Sequence, residues 1–170
     1  MKTITIILCF SGILSSVLAQ TTTEEEYIKK YQERIKMTRI NDVYIPSNTE
    51  EAMKELARLT EEDARKKLLT VPEDTIASKL HFSLGRWMQL NWGMDEGSRI
   101  SHYYKTKGVS YTDDQIDLLL RCFYRFVGGN DLREDDLVRH YVDLRKSEAD
   151  VRKRKGKVIK ELGPGKKHNE

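Results

Sequence analysis

The chain has 170 residues, 38% hydrophobic and 34% charged, with a formal net charge of +3. Ten glycines and three prolines exclude the collagenous and low-complexity classes, and two cysteines exclude a disulfide-built scaffold. At this length one core buries roughly 70% of the unfolded surface, so a single domain is expected.

Met1 and Lys2 supply a short positive start, Ile4 to Leu18 an apolar run, and Val17-Leu18-Ala19 a small-residue cleavage signal before Gln20. Thr5, Ser11, Ser15 and Ser16 interrupt the run and Glu24-Glu25-Glu26 soon follows, whereas a spanning helix needs about twenty apolar residues. Residues 1–19 therefore read as a cleaved signal peptide, with no transmembrane segment, and the protein as exported, periplasmic or secreted. Cys9 follows Leu8 rather than a small residue, so no lipoprotein is expected. Cleavage leaves Cys122 alone, within the apolar run LLLRCFYRF, as a small buried hydrophobe without a disulfide partner.

Helix signals dominate the chain after Gln20, and no strict alternation exceeds Val43-Tyr44-Ile45, so the expected class is all-α: one bundle of about six or seven helices. Thr23 and Glu26 form a capping box opening a charged first helix to about Met37, with Tyr27, Ile28, Tyr31 and Ile35 on one side. After the extended NDVYIP, Ser47-Asn48-Thr49 caps a second helix carrying Ala52, Met53, Leu56 and Leu59, and Thr60 with Asp63 caps a short third ending near Leu69. Thr70 and Glu73, flanking Val71-Pro72, start a central helix that runs to about Asn91 before Gly93, with Ile76, Ala77, Leu80, Leu84, Trp87 and Met88 as its apolar stripe. Gly85 interrupts this helix, either by accident or to admit another backbone or a ring such as Trp92.

Ser98 caps the next helix, with Ile100, Tyr103 and Tyr104, ended by Gly108. Thr112 opens the most apolar helix, carrying Ile116, Leu119, Leu120, Phe123, Phe126 and Val127, and Gly128-Gly129 stops it. Asn130 or Asp131 begins the last helix, with Leu137, Val138, Tyr141 and Leu144 facing inward. The expected divisions are thus a signal peptide at 1–19, a charged helix and linker at 20–42, a helical core at 43–144 and a basic extension and tail at 145–170. That extension holds ten Lys or Arg against four Asp or Glu, which leaves the rest of the exported chain net acidic. It reads as a solvated helix fraying into a tail, or as a contact to an anionic surface. Nucleic acid is not an expected partner, because the protein is exported and its aromatic residues do not interleave with the basic ones.

The run KLHFSLGRWMQLNWG followed by GSRISHYY resembles an uncharacterised domain of unknown function found in bacterial proteins, in which His-Phe-x-Leu-Gly-x-Trp-Ile-Arg-Asn-x-Trp-Gly precedes Gly-Ser-Arg-Leu and a Tyr-Phe pair. The resemblance spans roughly Val43 to Tyr141, including VYIP and YRFVGG. Met88, Gln89 and Leu90 stand where that family often has Ile, Arg and Asn, and Met94-Asp95-Glu96 where it often has a Leu-Trp pair. It implies the fold and brings no activity with it.

Candidate ligand-binding residues are His81, Trp92, Ser98, Arg99, His102 and Tyr104. Gly97-Ser98-Arg99 opens a helix, where free N–H groups and the positive dipole end favour an anion and Arg99 adds a forked donor pair. Alternatively, Ser98 only caps, and Arg99 pairs with Asp95, Glu96 or the carbonyls ending the preceding helix. His81 acts as a proton carrier or ligand if it shares a cleft with His102, and is otherwise a hydrogen-bonded, partly buried histidine. His140 pairs with Asp136 on a helix surface. No metal-ligand spacing surrounds these histidines and no cofactor fingerprint occurs, so neither metal nor cofactor is expected. Trp87, Trp92, Tyr103 and Tyr104 are either core or an aromatic recognition surface. These residues support two readings. The first is an exported, non-catalytic module that recognises a protein or cell-envelope partner with the face from Trp92 to Tyr104 and uses its basic tail at an anionic surface. The second is a small hydrolase or anion-binding enzyme with His81, Ser98, Arg99 and His102 in one pocket.

Overall fold

The computed structural model describes residues 21–161; the expected signal peptide and the last residues of the basic tail lie outside them. Within that range the elements are α1 (Thr21–Arg34), a hairpin of β1 (Arg39–Ile40) and β2 (Val43–Tyr44), α2 (Thr49–Leu59), α3 (Glu62–Leu68), α4 (Glu73–Leu80), a π-helical turn (His81–Gly85), α5 (Arg86–Asn91), α6 (Arg99–Thr106), α7 (Thr112–Val127) and α8 (Glu134–Glu161). The class is all-α.

The hairpin stands where extended chain was expected. Arg39 pairs with Tyr44 and Ile40 with Val43, and both turn residues, Asn41 and Asp42, have positive φ (47° and 61°). That is the backbone of a two-residue turn whose twist matches the paired strands, and Asn and Asp tolerate it better than most residues.

Several helix starts differ from the expected caps. Thr23 lies inside α1 rather than before it. Asn48 does cap α2, its side chain accepting from the Glu51 N–H at 2.9 Å while Glu51 Oε2 accepts from the Ser47 N–H at 2.8 Å. Of the other expected helix-opening threonines, Thr60 and Thr70 instead donate back to preceding helix-end carbonyls, of Leu56 and Lys67, and Thr112 is the first residue inside α7, with Tyr111 at the cap position. A hydroxyl placed between two helices can serve either end, and here the carbonyls of the earlier helix lie nearer. Glu61 and Pro72 hold the cap positions of α3 and α4 without a side-chain bond.

α4, the π-turn and α5 form one continuous helix over residues 73–91, as the apolar stripe requires, but it is not the central one. That place belongs to α7, which packs against α2, α3, α4, the π-turn, α5, α6 and α8. Its Ile116, Leu118, Leu119, Leu120, Cys122 and Phe123 are buried almost completely, so apolar residues cover more than one face of this helix, as befits a helix surrounded by others. Each such aliphatic or Phe side chain stabilises the fold by about 1.5–3 kcal/mol. Gly85 explains how close the flanking helix comes: a Cβ there would lie 2.8 Å from Ile116 Cγ2 and 3.6 Å from Leu120 Cδ1. The approaching group is therefore an α7 side chain, neither another backbone nor Trp92.

α1 rests on the turn between α5 and α6. Gly97 has φ 93° and no side chain, which lets the Tyr31 ring lie directly on it. Arg34 donates from Nε to Gly97 O (3.1 Å) and pairs with Glu96 (2.9 Å), while Tyr27 and Ile28 stay exposed. At the other end, Arg145 clamps α8 onto α7 through Nε to Asp114 Oδ2 (2.7 Å) and Nη2 to Asp114 Oδ1 (2.5 Å), with its guanidinium over the Tyr111 ring. The first residue of the expected basic extension is thus a packing residue.

Candidate functional site

The π-turn sets up an apolar concavity. Its extra residue per turn changes the direction in which successive side chains leave the helix. His81 points to α7, with Nδ1 3.2 Å from Asp117 Oδ1 and Nε2 3.7 Å from Asp113 Oδ1. Phe82 projects into solvent, 89% exposed, touching only the edge of the His81 ring among aromatic neighbours. Ser83 and Leu84 turn toward α3. Together with Leu80 and Trp87 they form one wall of a groove of about 370 Å³, with Ala64, Arg65 and Leu68 of α3 opposite and Phe123 of α7 beneath.

Trp87 also borders a second, more polar concavity with Arg39, Tyr44, Glu55 and Arg58. Glu55 is buried, and its carboxyl is held below the usual range first by the hydrogen-bonded Arg58 guanidinium. That carboxylate is therefore already matched, and the apolar groove is the less satisfied of the two surfaces.

The six residues expected to bind a ligand do not converge. Trp92, Ser98 and Tyr104 are wholly buried. Trp92 packs edge-on to Trp87 at 5.9 Å, and Tyr104 shares a 2.7 Å hydrogen bond with Thr49 Oγ1. Burial pushes the Tyr104 hydroxyl well above its ordinary pKa, so it stays protonated. Ser98 accepts from the Ser101 N–H at 3.5 Å, a long cap bond. The face from Trp92 to Tyr104 is consequently interior, since Trp92 at the end of α5 and Met94 just beyond it both turn into the core.

Arg99, His81 and His102 have separate partners on separate elements. Arg99 donates from Nε and Nη2 to Ile45 O (3.0 and 2.6 Å) and from Nη2 to Glu51 Oε2 and Tyr44 Oη (each 3.2 Å). It pairs internally, though with the segment before α2 and Glu51 in its first turn rather than with Asp95, Glu96 or helix-end carbonyls. The Ser47 N–H, then the Tyr44 hydroxyl, together with Arg99, hold the Glu51 carboxyl below its usual pKa. His102 Nδ1 lies 3.1 Å from Tyr31 Oη on α1. His140 is exposed, and its expected partner Asp136 is taken by Arg133 and Arg139.

Among the described residues no group of three or more His, Cys, Asp or Glu side chains gathers as a metal shell. Cys122 is buried and its thiol is pushed up to about 12 by burial, so it holds its proton and is a poor nucleophile. No described helix is long and apolar enough to cross a membrane.

Phe82 and the groove were missed in the sequence for different reasons. Phe82 falls off the stripe formed by Ile76, Ala77, Leu80, Leu84, Trp87 and Met88, and an apolar residue off the stripe is a readable signal. Arg65 and Ala64 carry no such mark, because only tertiary packing brings α3 opposite the π-turn.

Every groove-lining residue, from Thr60 to Phe123, lies within residues 45–126, which match a protein family described as a domain of unknown function (DUF6794). α1, the hairpin and α8 lie outside that match, which is shorter than the span expected from the motifs. No curated protein and no solved structure matches the chain.

Proposed function

We propose that the chain is an exported, non-catalytic helical module of a bacterial envelope or secretome that binds a protein or envelope partner through the apolar groove beside Phe82. The observation that carries this is the apolar groove walled by Leu68, Leu80, Leu84 and Trp87, with an 89% exposed phenylalanine one residue before Ser83 of its wall. An exposed phenylalanine forfeits the stabilisation that burial would bring, and it is the apolar lining of the groove, a contiguous surface rather than a single side chain, that marks an interaction site. The basic segment after residue 151 serves as a second, electrostatic contact to an anionic surface. The export signal at 1–19 and its cleavage after Ala19 are part of the same reading, checked by the N-terminal sequence of the secreted or periplasmic form.

The face from Trp92 to Tyr104 has no place in this reading, and the enzyme alternative lacks support because its four residues serve separate contacts. The test is co-sedimentation of the full exported chain with isolated cell envelopes. Phe82→Ser is expected to lower retention at any salt concentration, whereas removing residues 152–170 lowers it only at low salt. That cut spares Arg145 and its clamp on Asp114. Retention of Phe82→Ser at the wild-type level would end the proposal for this face.

A further inference from the structure

Resting on the reading of the groove as the binding face, we propose a specific occupant: a single-chain amphiphile with a carboxylate head, such as a medium-chain fatty acid. The head group is assigned by Arg65. This half-buried residue of α3 donates from Nη1 to two carbonyls at the end of α2, Ala57 O (2.6 Å) and Thr60 O. Its Nε and Nη2 make no hydrogen bond to the described residues, and no described carboxylate pairs with it. Arg34, Arg99, Arg125 and Arg145, also half-buried, each face one: Glu96, Glu51, Glu73 and Asp114 respectively; half-buried Arg121 also has no carboxylate partner among the described residues, but it does not line the groove.

The edge left open is the one that matters chemically. Nε–H and one Nη2–H point in parallel, the geometry that takes both oxygens of a carboxylate at once. The two α2 carbonyls hold the guanidinium from its other side, so the fork is fixed before a ligand arrives and little side-chain entropy is lost on binding. Beyond the fork the lining turns apolar: Ala64, Leu68, Leu80, Leu84, Trp87 and Phe123. A partly desolvated cation at one point of an apolar trough is complementary to a ligand with one anionic end and an apolar remainder. The volume of about 370 Å³ lies near the lower limit for small-molecule sites, which fits one chain and leaves too little room for a two-chain lipid.

The test titrates the full exported chain with decanoate below its micellar concentration, with decanol as the neutral control and acetate as the head alone. Heat and the fluorescence of Trp87 in the groove wall are the readouts. Saturable decanoate binding at least tenfold tighter than decanol is expected, because a charge-assisted hydrogen bond contributes about 1.5–3 kcal/mol, with acetate weaker than both. Arg65→Gln should remove the preference for decanoate over decanol. Because Arg65 also caps α2, Arg65→Lys is the companion variant: it keeps a cation and a donor but loses the fork, and should weaken decanoate severalfold while leaving decanol binding and the melting temperature near wild type. Equal affinity for decanoate and decanol, or an unchanged decanoate affinity in a folded Arg65→Lys, overturns the role of Arg65. No saturable binding of decanoate overturns the ligand. If envelope retention still depends on Phe82 in that event, the binding face stands with another occupant.

Discussion

Two aromatic-rich segments leave the same continuous helix over residues 73–91, and the fold treats them in opposite ways. At its C-terminal end Trp92, followed by Met94, Ile100 and Tyr104, is fully enclosed, the Tyr104 hydroxyl bonded to Thr49 and the Trp92 indole N–H buried without a partner among the described residues. At the π-turn Phe82 stands in solvent beside an open trough. Both segments carry aromatic and small residues at similar intervals, so composition does not distinguish them. What does is whether another element lies over them. α1 and the segment before α2 cover the α5–α6 end through Arg34, Tyr31 and the Ile45 carbonyl bound by Arg99. α7 covers one side of the π-turn, and Phe82 on its other side stays in solvent.

This contrast is sharpest in stability. Trp92→Ala is expected to cost about 3–5 kcal/mol in urea or thermal melts, as truncation of a buried indole does; a cost below about 1 kcal/mol would mean that the enclosed end is not enclosed. Next in size is Gly85→Ala. The added Cβ meets Ile116 Cγ2 at 2.8 Å, so the roughly 1 kcal/mol gained in helix propensity is outweighed by overpacking of about 1–3 kcal/mol. A double-mutant cycle with Ile116→Ala should recover part of that loss, and strict additivity would show that the contact is not the cause.

A pH-dependent effect comes from Cys122. Its thiol is pushed up to about 12 by burial, above the roughly 8.5 of a free thiol. The native state therefore keeps a proton that the unfolded chain releases. This contribution is complete below the unfolded value and is lost as pH climbs from there towards about 12, at up to about 1.4 kcal/mol per pH unit. Cys122→Ala should flatten the fall between about pH 8.5 and 10, and native protein should react with a thiol reagent only as fast as it opens. A parallel slope in wild type and variant would show that the thiol is not the titrating group. The smallest expected change is that of Phe82→Ser, less than about 0.5 kcal/mol, because an exposed side chain loses no packing. A larger loss would make Phe82 a structural residue and would narrow the gap between the two ends.

The helices were legible wherever spacing and punctuation agreed. Ile76, Ala77 and Met88 are buried as the stripe requires, with Leu80, Leu84 and Trp87 half-buried against the core. Gly93, Gly108 and Gly129 each take positive φ just past a helix end. Less legible were features set by contacts distant in sequence. Thr60 and Thr70 are equally good as caps for the next helix and as hydroxyl donors to the previous one, and geometry settled which. Arg99 looked like an anion site because a helix start with an adjacent arginine is one in isolation; the carbonyl of Ile45, 54 residues away, occupies it. The groove was illegible because its walls come from α3 and the π-turn, and its floor from α7.

From the amino-acid order alone came the all-α class, the helix boundaries to within a few residues, the burial of Cys122 and the apolar stripe of the helix over 73–91. These depend on periodicity and backbone preference, which act over one or two turns. Tertiary structure decided that α7 lies at the centre, that Trp92 and Tyr104 are interior while Phe82 is not, and that Arg65 keeps an open edge above an apolar floor. Those outcomes depend on which helix lies over which, a balance of burial and hydrogen bonding among groups far apart in the chain that local spacing does not encode.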